Sequence, residues 1–154
     1  MLYCFDTSAL VKIYHKEGSD TAITLFGEDD VINYLSQITF TEFSCTLYRK
    51  FRNKEITEEK DVLQTIRHFE IDMQYENIIN LDENVFLEAK NLIIKWGSKF
   101  SLKTLDALHL ASFVQLAQLN EITFVCADVK LCELVAESGY DVINPSGNSA
   151  RELL

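Results

Sequence analysis

The chain alternates short apolar runs with longer stretches in which apolar residues recur every three or four positions. Leu2-Tyr3-Cys4-Phe5 opens as a buried strand and stops at Asp6-Thr7-Ser8, from which a helix runs over Ala9 to Lys16 with Ser8 as its cap. Gly18-Ser19-Asp20 closes that helix and opens a second one to Gly27, and Val31 to Tyr34 is a second strand. Ser36 is placed to cap a third helix, striped by Phe40, Phe43, Leu47 and Phe51 and ending in the basic run Arg49 to Lys54. A fourth helix opens at Thr57-Glu58-Glu59-Lys60, with Val62, Ile66, Phe69 and Met73 on its apolar stripe. Glu76 to Leu81 reads as a third strand. Asp82 then leads into a helix from Glu83 to about Trp96, with Phe86, Ala89, Ile93 and Trp96 inward and Gly97 as its stop. Thr104 caps Leu105 to Leu119, which is too apolar on every side for a surface helix and is expected at the centre. Ile122 to Ala127 is the clearest later strand, followed by Asp128, a helix from Val129 to Ser138, and a last short strand at Asp141-Val142-Ile143.

Strands alternating with helices predict an α/β fold, a parallel sheet covered on both faces. The length of 154 residues suits one domain, residues 1–154, with a short tail from about residue 146. No apolar run approaches the roughly 20 residues that span a bilayer, so no membrane association is expected. Cys4, Cys45, Cys126 and Cys132 have no CxxC spacing and lie inside predicted elements. They read as reduced, buried thiols, which fits a cytoplasmic protein.

Charge complicates the picture. With 24 acidic against 14 basic residues the formal charge is −10, whereas proteins that wrap a nucleic-acid backbone are usually basic. A nucleic-acid role would therefore need a local basic patch or a bound cation, and the same charge suits a partner rich in Lys and Arg.

Two strands each end in an Asp, and open α/β sheets place their chemistry at the carboxyl ends of strands. If the two strands are neighbours, Asp6 and Asp128 face one crevice. Taken singly, each Asp is better explained by helix capping and turn formation. Glu42 lies about 100° round its helix from Phe43, at the margin of the buried face, where a solvated carboxylate is the usual outcome. Asp106 is the one acid of a nearly all-apolar helix. Its first-turn position favours it through the helix dipole, yet a buried carboxylate also calls for a cation. His109, one turn on, could pair with it at a metal, although a packed histidine bonded to backbone or a carboxylate is the commoner arrangement.

Four segments together resemble the signature segments of PIN-domain ribonucleases of the VapC toxin type. They are Phe5-Asp6-Thr7-Ser8-Ala9-Leu10-Val11-Lys12, Thr41-Glu42-Phe43, Leu105-Asp106-Ala107-Leu108-His109-Leu110-Ala111 and Ala127-Asp128-Val129-Lys130-Leu131. Their order and spacing match from residue 2 to about 143. The resemblance implies a three-layer α/β/α fold with a central parallel sheet of four or five strands. It also implies an acidic quartet, Asp6, Glu42, Asp106 and Asp128, that binds Mg²⁺ or Mn²⁺ and carries catalysis. Thr7 matches a hydroxyl position that supports the site, and His109 a helix position that is not usually a ligand. Family members pair with a small antitoxin whose basic tail enters the acidic crevice, and they dimerise. Here Phe51, Phe69 and Met73 on the second to fourth helices are the apolar residues in excess of one core.

The residue chemistry agrees with that expectation. Clustered carboxylates raise one another's pKa values unless a cation is present, and hard oxygen donors select Mg²⁺ or Mn²⁺ over zinc. Lys12, Lys16, Lys103 and Lys130, near the ends of the same elements, are the candidates for an RNA path. Two other readings compete. A catalytically silent PIN-like module would use the acidic crevice to hold a basic protein. A haloacid-dehalogenase-like phosphatase would require a second Asp two residues after Asp6, where this chain has Ser8.

Overall fold

The computed structural model describes residues 1–15, 20–28 and 30–146. Five parallel strands form its centre: β1 (Leu2–Phe5), β2 (Ile32–Ser36), β3 (Asn77–Ile79), β4 (Thr123–Val125) and β5 (Val142–Ile143), in the order β3-β2-β1-β4-β5. Helices α1 (Thr7–Tyr14) and α2 (Asp20–Gly27) connect β1 to β2, and α3 (Ile38–Arg52) and α4 (Glu59–Asp72) connect β2 to β3. Helices α5 (Glu83–Phe100) and α6 (Thr104–Ala117) lead to β4, and α7 (Val129–Glu137) leads to β5.

Side-chain alternation along β1 divides the core into two halves. Tyr3 and Phe5 face α1 to α4, where Leu10, Phe43, Leu47 and Phe69 pack, and Cys4 faces α5 to α7, where Ala111, Phe113 and Leu134 pack. The result is the expected α/β/α sandwich with a parallel sheet of five strands. Residues Ala107 to Val114 of α6 are buried without interruption, so its lack of a polar face reflects a central position. Ser112 Oγ meets Ser36 Oγ at 2.8 Å, fastening α6 to the end of β2. Among the described residues no helix is long and apolar enough to cross a membrane.

Several local expectations are corrected. The cap of α1 is Asp6, whose Oδ2 accepts from the Ser8 N–H at 2.9 Å, and not Ser8. Ser36 and Thr104 cap nothing: Gln37 and Lys103 hold the N-cap positions of α3 and α6 without side-chain capping bonds, Ser36 being spent on Ser112. Helix α5 passes through Gly97 and ends at Ser101, which adopts the left-handed conformation at φ 50°. Phe86 is 54% exposed, because α5 buries the Val85, Ala89, Leu92 face instead. Phe69 and Met73 are at most 2% exposed and belong to the core, so they cannot form a dimer face. The four cysteines are free, but Cys45 is exposed and Cys132 only half-buried. Lys16 and the turn at Gly18-Ser19 lie outside the described residues.

Candidate active site

Strand order reverses direction between β1 and β4, which leave the sheet toward opposite sides, and open α/β sheets form a crevice at such a switch point. β1 and β4 pair directly, Phe5 opposite Val125, and the Asp6 N–H extends the ladder to the Val125 carbonyl at 2.9 Å. Asp6 and Asp128 therefore leave adjacent strands at one edge. Glu42 reaches the same edge from α3, and Asp106 from the first turn of α6. All four carboxylates line one open crevice of ≈ 410 Å³, with Lys12, Arg49 and Lys50 also on its walls.

Each acid is positioned by a local device. Asp6 caps α1 and also accepts from the Ser8 hydroxyl at 2.5 Å. That same hydroxyl accepts from the Ala127 N–H at 2.9 Å, so Ser8 ties the start of α1 to the loop carrying Asp128. The Cys126 thiol adds a second tie, lying 3.6 Å from Asp6 Oδ2 and accepting from the Asp128 N–H at 3.3 Å. A hydrogen bond with Cys132, burial and the Asp6 charge push the Cys126 thiol far up, and it stays protonated. Asp128 caps α7 by accepting from the Leu131 N–H at 3.0 Å. The capping explanation and a place in the crevice thus hold together for both aspartates: one oxygen serves the helix and the group still faces the crevice.

Beneath the acids sits His109, 2% exposed. Its Nε2 lies 2.5 Å from Glu42 Oε2 and 3.2 Å from Thr7 Oγ1, and its Nδ1 lies 3.7 Å from Asp6 Oδ1. Thr7 in turn donates to Glu42 Oε2 at 2.9 Å. Burial alone would lower the imidazole pKa, but Asp6, the Glu42 hydrogen bond and the Glu42 and Asp106 charges outweigh it and raise the value. For Glu42, burial raises the pKa, and the hydrogen bonds and charge from His109, with Thr7, bring it below the ordinary range. Asp106 goes the other way: burial first, then the charges of Asp6, Asp128 and Glu42, raise it.

Among the described residues, donor atoms of Asp6, Glu42 and His109 lie within 4.8 Å of one another, close enough to share a metal ion. Asp106 and Asp128 line the crevice outside that tightest group. Four carboxylates, one of them driven toward protonation by burial and then by the others, make a donor set short of positive charge, and hard oxygen donors of this kind fit a hard divalent cation. The residues that sequence reasoning missed are Ser8 and Cys126 as cross-ties. Their only sequence signal is position, each being two residues from an aspartate.

An α/β/α sheet whose switch point gathers four carboxylates defines the class of fold. The PIN domain family model matches residues 3–135, and the chain belongs to that family. No curated protein sequence is similar enough to match. Solved structures with the same fold include a toxin-antitoxin complex from Klebsiella pneumoniae, 18% identical, covering 95% of this chain and 99% of that one at TM-score 0.65. VapBC2 from Rickettsia felis bound to a promoter DNA fragment is 13% identical, with 94% and 98% covered at TM-score 0.67. VapC20 of Mycobacterium tuberculosis, described as a Sarcin-Ricin loop cleaving toxin, is 13% identical, with 93% and 99% covered at TM-score 0.66.

Proposed function

We propose that this protein is a divalent-metal-dependent endoribonuclease, the toxin half of a toxin-antitoxin pair. The observation that carries the reading is the convergence of Asp6, Glu42, Asp106 and Asp128, from four separate elements, on one crevice at the switch point. The four carboxylates would hold Mg²⁺ or Mn²⁺. A cation so held supplies charge neutralisation at the phosphate and a water of lowered pKa for in-line hydrolysis. Thr7 and His109 support the site by fixing Glu42, with His109 as a buttress and not a ligand. Lys12, Lys103 and Lys130, which line the acidic crevice or the recess beside it, give the RNA backbone positive charge that the whole chain lacks. Lys16 belongs to the same proposal on sequence grounds alone.

Partner and location follow from the same reading. The toxin-antitoxin complexes that share the fold favour a small antitoxin, and the acidic crevice favours a basic tail on it. A homodimer is retained from the family resemblance, with exposed Leu63 and Ile71 of α4, and no longer Phe69 and Met73, as its apolar candidates. Free thiols fit a cytoplasmic setting.

Incubation of the purified protein with a structured RNA and Mg²⁺ or Mn²⁺ is the test. Cleavage is expected, and Asp6→Asn or Asp106→Asn should lower it by more than about 100-fold, the upper end of what residues behind a metal ligand cost. Circular dichroism should be unchanged in both. Equal cutting by the variants would assign the activity to a contaminant. Calorimetry showing no Mn²⁺ binding would instead favour the silent module that holds a basic partner.

A further inference from the structure

The acidic crevice continues past Asp106 and Asp128. These two carboxylates also line a second recess, of ≈ 110 Å³, whose remaining walls differ in kind. Phe100 and Leu102 flank the α5–α6 turn on one side, Leu131 and Leu134 of α7 form another, and Lys103 and Lys130 complete it. Leu131 and Leu134 are buried in the core, and the Phe100 ring is held edge-on by Trp96 at 5.7 Å, so these apolar walls are fixed. Between Phe100 and Leu102 stands Ser101 at φ 50°, ψ 43°, a left-handed conformation that disfavours a residue with a Cβ. The strained turn brings residues from both of its sides to one recess.

We propose that this recess is a nucleobase subsite that receives the base next to the phosphate held at the acids. The inference rests on the nuclease reading of the acidic crevice. Phosphate contacts position a strand but carry no sequence information, so selection between RNA sites has to come from a base. Single-stranded bases are bound by splaying them onto aromatic and apolar surfaces, which half-buried Phe100 and Leu102 provide over a floor set by Leu131 and Leu134. A recess about a quarter the size of the main crevice accepts one ring system and excludes a folded backbone. Lysine ammonium groups only donate, so Lys103 and Lys130 favour the O6/N7 edge of guanine or the O4 edge of uracil, which only accept, over the matching edges of adenine and cytosine, which carry an amino group.

Two arms test the proposal separately from the nuclease reading. In the first, Asp6→Asn protein in Mg²⁺ is titrated with RNA trinucleotides whose central base is guanine, uracil, adenine, cytosine or absent, followed by fluorescence anisotropy. Guanine or uracil should bind about tenfold tighter than the abasic oligonucleotide, in the range of a single stacked base. Adding Leu102→Trp, which fills the recess, or Lys103→Ala should erase the difference, while Mn²⁺ affinity stays as in the parent protein for Leu102→Trp. Equal binding of all five, or a preference that survives both substitutions, overturns the subsite. In the second arm the wild type cuts RNA with randomised bases around the scissile bond. Cutting without preference at the flanking positions overturns the subsite and leaves the nuclease standing. No cutting in either metal, with base-dependent binding intact, removes the nuclease reading and leaves a base-binding recess.

Discussion

His109 shows at the scale of one residue how a PIN site manages its charge. The signs of its shift and of its partner's can be followed through pH. An imidazole whose pKa is raised on folding contributes stability that is full below its ordinary value of 6.5 and is lost as pH climbs through the raised value. Glu42, lowered on folding, contributes above the ordinary carboxylate value of 4.5 and loses its contribution as pH falls through the lowered one. The pair is therefore strongest between the ordinary values of 4.5 and 6.5 and weakens on the alkaline side through His109. His109→Gln should cost about 3 kcal/mol at about pH 6, the lower end for breaking a buried pair, because Thr7 still bonds Glu42. It should also remove the alkaline fall in thermal midpoint that the wild type shows. Melting curves from pH 6 to 10 check both, and a His109→Gln profile that keeps the wild-type slope would sink the assignment. The position of His109 on the face of Asp106 is legible in the sequence, and so is a carboxylate as a candidate partner. Which carboxylate was out of reach, since Glu42 is 67 positions away and the contact depends on how α3 packs on α6.

Helices α5 and α6 mark where element-level reading succeeds and where it fails. Polar residues in α6 are too few and too scattered to make a face for water, so its central place follows from the sequence alone. Helix α5 carries apolar residues at Val85, Phe86, Ala89, Leu92, Ile93 and Trp96, enough for two overlapping stripes, and periodicity cannot choose between them. Packing against α6 chooses Val85, Ala89 and Leu92 and leaves Phe86 outside. Gly97 misleads for a related reason: a glycine is a good stop signal, yet the helix tolerates one at a cost of about 1 kcal/mol relative to alanine. Nothing in its surroundings requires it. A Cβ there would meet only Ile93 Cγ2, at an ordinary 3.7 Å, and its φ is not positive. Gly97→Ala is thus expected to stabilise the protein by about 0.5–1 kcal/mol. A urea titration reads this as a higher midpoint at unchanged slope, and a lower midpoint would mean that the glycine serves the turn at Ser101.

For the molecule as a whole, a charge of −10 and an RNA substrate are compatible only if the basic contacts are few and local. Five basic residues line the two recesses: Lys12, Arg49 and Lys50 in the larger, Lys103 and Lys130 in the smaller. Lys50 is bonded to Glu55 at 2.8 Å, so its charge is already matched within the fold. Lys103 and Lys130 are assigned to the base, so Lys12 and Arg49 set the scale of counterion release. For single strands the logarithm of the binding constant falls with the logarithm of salt at about −0.7 per neutralised phosphate, so two contacts give a slope of about −1.4. That is shallow for a nucleic-acid-binding protein, and it is the expected outcome for Asp6→Asn protein titrated with a single-stranded RNA at constant Mg²⁺ over a range of KCl. Lys12→Ala should lower affinity for every sequence alike and reduce the slope by about 0.7, because it removes one phosphate contact and no base contact. A slope near zero would mean that Lys12 and Arg49 do not meet phosphate. One twice as steep as expected would require a basic track elsewhere on the surface, and the acidic crevice would then be approached along a path other than the one the two recesses define.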